Sequence, residues 1–277
     1  MLYAYSESDY PFMIPHTFHG YKFIKVLNAG FYSVVVLVED IYTHTKFAAK
    51  FISKKDMINK KQTYIISKEI QIMKTLDHPN IIKLYEFFDI INDLNEEYLV
   101  LITEYCENGD LLEFIQENDF QNEEEKKKVI LGIAKSIQYL HNRGISHGDI
   151  KPENILLDYN MNPKLCDFGF ADTSLICNSN EIKGTLKYLS PEILKKCKYN
   201  RLKSDIWALG ITYYAISEKS FPFYDEDDDF VINQILNGYL LINPDDQLQN
   251  IVGKCTKMNV NDRITINELI QDEYFDF

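Results

Sequence analysis

The hydrophobic period of this chain changes partway along, and that change constrains the fold more than any other feature. Over residues 21–53 the apolar residues fall in short β-branched or aromatic runs, "YKFIKVLN", "VVVLVED" and "KFAAKFIS", divided by Gly30 and by "IYTHT". That is the pattern of antiparallel strands joined by tight turns. Residues 61–76 switch to helical spacing through Ile65, Ile66, Ile70 and Met73, and stop before "DHPN", where Pro79 disfavours helix at His78. "IIKLYEFF" and "EYLVLITEY" return to strand, with "DIINDLNE" as their turn. After "ENGD" at 107–110 the pattern is helical, with Val129, Ile130, Ile133, Ala134, Ile137 and Leu140 in one stripe behind an acidic first turn, Glu123 to Glu125. Further helices are expected at 201–218, 227–237, 246–256 and 265–271. The stretch 145–192 is left mostly irregular, and irregular backbone of that length usually carries function. Strands first and helices later is an α+β arrangement, with a boundary near 106–108 and a short arm, residues 1–19, ahead of it.

Composition narrows the functional classes. An apolar content of 45 %, with 17 Phe and 19 Tyr, is too rich for disorder, and no run reaches the 18 apolar residues of a membrane span. The N-terminus lacks the basic and apolar regions of a secretory signal. The five cysteines, Cys106, Cys166, Cys177, Cys197 and Cys255, are isolated and odd in number, which indicates a reducing compartment, the cytoplasm or the nucleus. The six histidines form no zinc pattern. A formal charge of −13 argues against nucleic acid or an anionic membrane as partner and is compatible with a basic one, although it also serves solubility.

Chemistry enters with "ISHGDIKPENILLD" and "PKLCDFGFAD". Asp149 on a loop is placed to accept the proton of an attacking hydroxyl, Lys151 to neutralise a transferring phosphoryl group, and Asn154 and Asp167 to hold Mg²⁺. A turn explains one such Asp or Asn, but not four in this order. Lys50 in "FAAKF" and Glu69 in "KEIQIMKTL" would each pass for a solvated surface charge if met alone; as a strand and helix pair, the carboxylate would orient the ammonium. "VLNAGFYSVVV" half matches a Gly-rich phosphate cover: Gly30 is the single glycine, Asn28 stands at a position where tolerance of positive φ is useful, and Ser33 closes the loop. By itself it is a weak signal and reads more readily as a plain hairpin.

Together with "GTLKYLSPE" at 184–192, "SDIWALG" at 204–210 and Arg263 in "DRITINEL", these motifs make residues 20–275 resemble the eukaryotic protein kinases of Ser/Thr type. "HPNIIKLYEFF" and "EYCENGDLLEFI" are most similar to the calcium/calmodulin-dependent and AMP-activated group. The resemblance implies a bilobal kinase fold: a small five-stranded antiparallel β lobe with one key helix (20–105), and a larger, mainly helical lobe (106–275), with ATP and Mg²⁺ as cofactors. It implies that Lys50 contacts phosphates and pairs with Glu69, that Asp149 is the base, and that Lys151 contacts phosphate. Leu27, Gly30, Val35, Ala48, Glu104, Cys106, Asp110 and Leu156 would bind the nucleotide, with Thr103 as gatekeeper. Met73, Leu84, His147 and Phe168 would stack as a spine, Glu192 would pair with Arg263, and Asp205 would hold the catalytic loop.

Gly148 is the main departure. Kinases commonly carry Arg there to gather an activation-segment phosphate, and Gly148 has no side chain to do so. The expectation is an active kinase that does not depend on phosphate at Thr173, Ser174 or Ser179 through this contact. The alternative is a pseudokinase, a binding or scaffold module that keeps ATP; small-molecule phosphotransferases, which often read H-G-D, lack the 184–192 and 205–210 motifs. Asp110, Glu153 and "DEDDD" at 225–229 would favour a protein substrate basic around its Ser or Thr, although the acidic run also reads as a solvated helix start. Regulatory partners are not specified by the sequence. If Phe277 is the true end, control is expected from partners, the arm or abundance.

Overall fold

The computed structural model describes residues 2–5, 11–30, 33–59, 62–177, 182–223, 226–243 and 245–276. The chain divides into two compact units, residues 1–77 with 82–105, and residues 78–81 with 106–277.

The first unit holds a hairpin of β1 (Leu2–Tyr5) and β2 (Pro11–Ile14) and an antiparallel sheet in the order β3-β4-β5-β6-β8-β7. Its strands are β3 (Thr17–Phe18), β4 (Tyr21–Ala29), β5 (Ser33–Asp40), β6 (Lys46–Ser53), β7 (Leu84–Ile91) and β8 (Glu97–Glu104). Alternation sorts the side chains. Val34, Val36 and Val38 of β5 meet Ala49 and Phe51 of β6 and Val100 and Ile102 of β8 on one face. On the other face Ile52 and Leu101 pack with Met57 of α1 (Lys54–Asn59) and with Ile66 and Ile70 of α2 (Thr63–Met73). Lys50 shares its strand face with Ile52 and therefore lies on the helix side.

Three expectations change here. Residues 13–18, read as part of an arm, enter the core: Ile14 and Phe18 are buried in the sheet cluster, and Phe18 stands edge-on to Phe51 at 5.1 Å and 80°. Pro15 and His16 interrupt the apolar run, which concealed the pattern, and the pairing of β3 with β4 makes the sheet six-stranded rather than five-stranded. The helix expected at 61–76 is α2, preceded by α1, which buries Met57 and at six residues is too short to show a period. The strand expected at "IIKLYEFF" lies further on, at β7, because Ile81 pairs in parallel with Leu165 inside the second unit.

The second unit contains α3 (Leu111–Glu117), α4 (Glu123–His141), a hairpin of β9 (Ile155–Leu157) and β10 (Pro163–Leu165), β11 (Ile176–Cys177) paired with β12 (Tyr199–Asn200), α5 (Pro191–Leu194), α6 (Arg201–Glu218), α7 (Asp228–Asn237), α8 (Gln247–Cys255) and α9 (Ile266–Ile270). The stripe from Val129 to Leu140 on α4 is fully buried, as its spacing predicts. α6 is buried nearly all round, through Ile206, Trp207, Leu209, Ile211 and Tyr213, and Tyr213 Oη donates to Ile130 O of α4 at 2.9 Å. It is the pillar on which the second unit is built. Side chains of Asn200, Asp227, Asp246 and Thr265 cap α6 to α9. The last three begin one residue inside the predicted ranges because those ranges counted the cap.

Candidate active site

Within the first unit, Lys50 sits opposite Val35 on one side and Leu101 on the other in the β5-β6-β8 ladder. Its Nζ lies 3.6 Å from Oε1 of Glu69, which is buried on α2 beside Ile66, Ile70 and Met73. A carboxylate withdrawn from water needs such a partner. Ala48 faces Thr103 across the same ladder. Glu104 is anchored twice to Lys83: its N–H donates to Lys83 O at 3.1 Å, and its Oε1 accepts the Lys83 N–H at 2.8 Å. Asn28 is not in a left-handed turn. It is an ordinary β4 residue opposite Val35, and Gly30 N–H donates to Ser33 O at 2.8 Å.

The second unit gathers the acidic motifs around one carboxylate. Asp149 is buried, and four donor groups surround it. Thr185 donates to Oδ1 from its N–H at 3.1 Å and its hydroxyl at 3.0 Å; Asn154 Nδ2 donates to Oδ2 at 3.0 Å, and Lys151 Nζ lies 3.0 Å from Oδ2. Lys151 also donates to Thr185 Oγ1 at 2.8 Å, so the lysine, threonine and aspartate form a closed triangle. Charge-assisted bonds of this kind fix orientation strongly.

The loop carrying Asp149 hangs from α6. Asp205, buried on that helix, accepts the N–H of His147 on Oδ2 and that of Gly148 on Oδ1, each at 2.9 Å, and a third bond from His141 Nε2 at 2.9 Å. The His147 ring accepts the Asp149 N–H at Nδ1, 3.3 Å, which leaves Nε2 to donate to Cys166 O at 3.0 Å. Its edge meets Phe168 at 5.1 Å. Asp167 follows Cys166, whose N–H donates to Asn154 O at 2.9 Å, so the D-F-G turn is pinned to the Asp149 loop from two directions. Asp167 has φ +62° and accepts the Gly169 N–H on Oδ1 at 3.3 Å.

Gly148 has φ +83°, and a Cβ there would lie 2.8 Å from Phe170 O. Gly184, φ +102°, brings the returning segment against the carbonyl of Gly148, 3.2 Å from where its own Cβ would be. Gly148 therefore has a steric reason of its own in addition to the absence of an Arg.

Glu192 and Arg263 form a bidentate buried pair, Nη1 to Oε1 at 2.7 Å and Nη2 to Oε2 at 3.1 Å. Burial pushes the Glu192 carboxyl up, but the hydrogen bond and charge of Arg263 outweigh it and hold it below the ordinary glutamate value. Ser190, where kinases usually carry Ala, donates to Ser204 Oγ at 3.1 Å, and Ser204 donates to Glu192 Oε1 at 3.2 Å. The buried hydroxyl is satisfied. Asp110 spends one oxygen on capping α3, accepting from Glu113 N at 2.9 Å, and its backbone bridges Leu156. Glu153 accepts from Tyr188 Oη at 3.3 Å, and that contact, after burial, raises the Tyr188 pKa. Ser179 and Asp225 lie outside the described residues. Sequence reasoning missed Ser146, Asp172, Arg201 and Ser204, whose contacts are set only by the folded segment.

The protein kinase domain family matches residues 21–275, and the chain belongs to the protein kinase family. It is 30 % identical over 272 residues to the serine/threonine-protein kinase cds1 of Schizosaccharomyces pombe, covering 92 % of this chain and 58 % of that protein. It is 31 % identical to the carbon catabolite-derepressing protein kinase of Candida glabrata, covering 92 % of this chain and 41 % of the relative. With the Aurora kinase of Eremothecium gossypii the identity is 32 %, over 88 % of this chain and 66 % of the other. The chain thus spans about half the length of the curated relatives it matches.

Two outcomes follow from this geometry. Gly148→Ala is expected to lower the unfolding free energy by about 1–3 kcal/mol through left-handed strain and the Phe170 contact. In urea titrations Gly253→Ala serves as control, because nothing lies closer than 3.7 Å to its added Cβ. The Glu192 pair, with a folded pKa below the unfolded value of 4.5, contributes stability in full above that value and loses it as pH falls through the folded one. Glu192→Gln should therefore cost roughly 3–5 kcal/mol at neutral pH, where it leaves Arg263 buried and unpaired. The difference from wild type should shrink as the pH is lowered through the folded value of Glu192, which lies below 4.5, in the same titration.

Proposed function

We propose that this chain is a Ser/Thr protein kinase domain, residues 20–275, which transfers the γ-phosphoryl group of ATP to a protein hydroxyl and does not require a phosphate held by the residue before its catalytic aspartate. The observation that carries this reading is the set of donors converging on a buried Asp149, on a loop tied by two N–H groups to Asp205. In this reading Asp149 accepts the substrate proton, Lys151 meets the transferred group, and Lys50, oriented by Glu69, meets the nucleotide phosphates. Leu27, Gly30, Val35, Ala48, Glu104, Cys106, Asp110 and Leu156 would bind the nucleotide.

Mg²⁺ fits the donor set. Among the described residues no cluster of three or more His, Cys, Asp or Glu side chains is built for a metal, so an all-protein cage is not what the site offers. A hard cation completed by phosphate and water needs only one or two protein oxygens. Asn154 gives its amide nitrogen to Asp149, to the backbone O at 2.8 Å and to Oδ2 at 3.0 Å, and its Oδ1 together with Asp167 would supply the protein ligands. When bound, the ion would neutralise charge on the phosphates. Asp110 and Glu153, the latter steadied by Tyr188, support a substrate basic around its target residue. Five isolated cysteines, odd in number, support a reducing compartment, the cytoplasm or the nucleus, as its place of work.

Radiolabelled phosphate transfer to an Arg-rich Ser/Thr peptide tests the assignment. Asp149→Asn is expected to lower turnover by about 10²- to 10⁴-fold, the usual worth of a general base, with Mg·ATP binding retained, and Lys50→Met should also abolish turnover. ATP binding by the wild type with no transfer to any peptide would instead place the chain among scaffold modules.

A further inference from the structure

The segment after Asp167 is fastened at several points that involve no phosphate. Ser146 and Asp172 exchange backbone bonds, Ser146 N to Asp172 O at 2.9 Å and Asp172 N to Ser146 O at 3.0 Å, and Ser146 Oγ adds a third at 3.2 Å. Asp172 Oδ1 accepts the Ser174 N–H at 2.7 Å, which aims the other carboxylate oxygen away from the local turn. That oxygen, Oδ2, lies 3.7 Å from Nη2 of Arg201. The same nitrogen donates to Cys177 Sγ at 3.5 Å, and the Arg201 N–H donates to Leu175 O at 2.9 Å. β11 then pairs with β12, immediately before Arg201.

Arg201 and Asp205 stand four residues apart at the start of α6 and so share one helix face. Asp205 holds the loop of Asp149, and Arg201 holds the segment of Asp167. We propose that Arg201 is a positioning residue for phosphoryl transfer: through Asp172, Leu175 and Cys177 it fixes the activation segment to the same rigid helix that fixes the catalytic loop, in place of a phosphate. This rests on the kinase reading above. The helix supplies the rigidity; its first turn is capped by Asn200 Oδ1, which accepts the Leu202 and Lys203 N–H groups at 2.9 and 3.3 Å. Gly148 completes the arrangement, since any side chain there would displace Phe170 from its path into Asp172. The basic group that meets the segment here is Arg201, 29 positions further along the chain, rather than a residue at 148.

The test is steady-state kinetics on phosphatase-treated protein with the Arg-rich peptide and ATP. Arg201→Gln and Asp172→Asn should each lower kcat by about ten- to a hundredfold, as expected for misplaced rather than missing catalytic groups, with the KM for ATP changed less than about twofold. Arg201→Lys, which keeps the charge, should recover most of kcat. The double variant should be no slower than the slower single one, because the two residues act as one contact. Should Arg201→Gln fail to fold, Asp172→Asn carries the same expectation. Wild-type kcat in Asp172→Asn, or singles whose losses multiply in the double variant, would overturn the role of Arg201 while leaving the kinase reading intact. A wild type without turnover would remove the kinase reading itself.

Discussion

Two neighbouring backbone N–H groups, those of His147 and Gly148, point at the two oxygens of one buried carboxylate, each at 2.9 Å, and the rest of the second unit's chemistry depends on that fork. A buried carboxylate bound only by donors is costly to leave unsatisfied. Asp205 therefore dictates where the loop runs, and with it where Asp149 sits. Because Asp205 projects from α6, itself buried through Trp207, Leu209 and Tyr213, the constraint is inherited from the core and not from the loop. The position of the Asp149 loop is thus a consequence of how one apolar helix packs.

The same helix organises the charges around it. Arg263, buried over the Trp207 ring at 5.3 Å, gives its guanidinium to Glu192 and to the carbonyls of Lys203 and Lys257. The segment that begins at Asp167 thereby ends on a second buried pair. Between those ends, Thr185 returns to Asp149 and Arg201 meets Asp172. An exposed ion pair would contribute little to such an arrangement. Here the pairs are buried or half-buried and share backbone acceptors, so their energy goes into fixing one conformation.

Much of this was legible in the sequence. Val34, Val36 and Val38 alternate, the stripe from Val129 to Leu140 repeats at helical spacing, and both signals are local, so β5 and α4 were readable directly. The quartet proposed for the chemistry was readable for another reason: Asp149, Lys151, Asn154 and Asp167 lie within nineteen positions of one another in a fixed order. The entry of Ile14 and Phe18 into the first core was not readable, because Pro15 and His16 break the period and only the apolar face of the sheet explains the burial. Asp172 and Arg201 escaped for a related reason. Twenty-nine positions apart, each is an ordinary surface charge until β11 and β12 pair. Gly148 was read as a missing side chain; the structure adds that its φ of +83° and the nearby Phe170 carbonyl leave no room for one.

On the reading proposed above, this member of the protein kinase family is held in its working arrangement by its own side chains. That claim is tested most directly by one comparison of rates. The protein is treated with phosphatase, intact mass spectrometry verifies that no phosphate remains, and initial transfer to the peptide is measured before autophosphorylation accumulates. The account predicts a turnover within about twofold of the untreated protein, since no group at position 148 waits for a phosphate. A treated protein that is silent until phosphate returns to Thr173, Ser174 or Ser179 would contradict it.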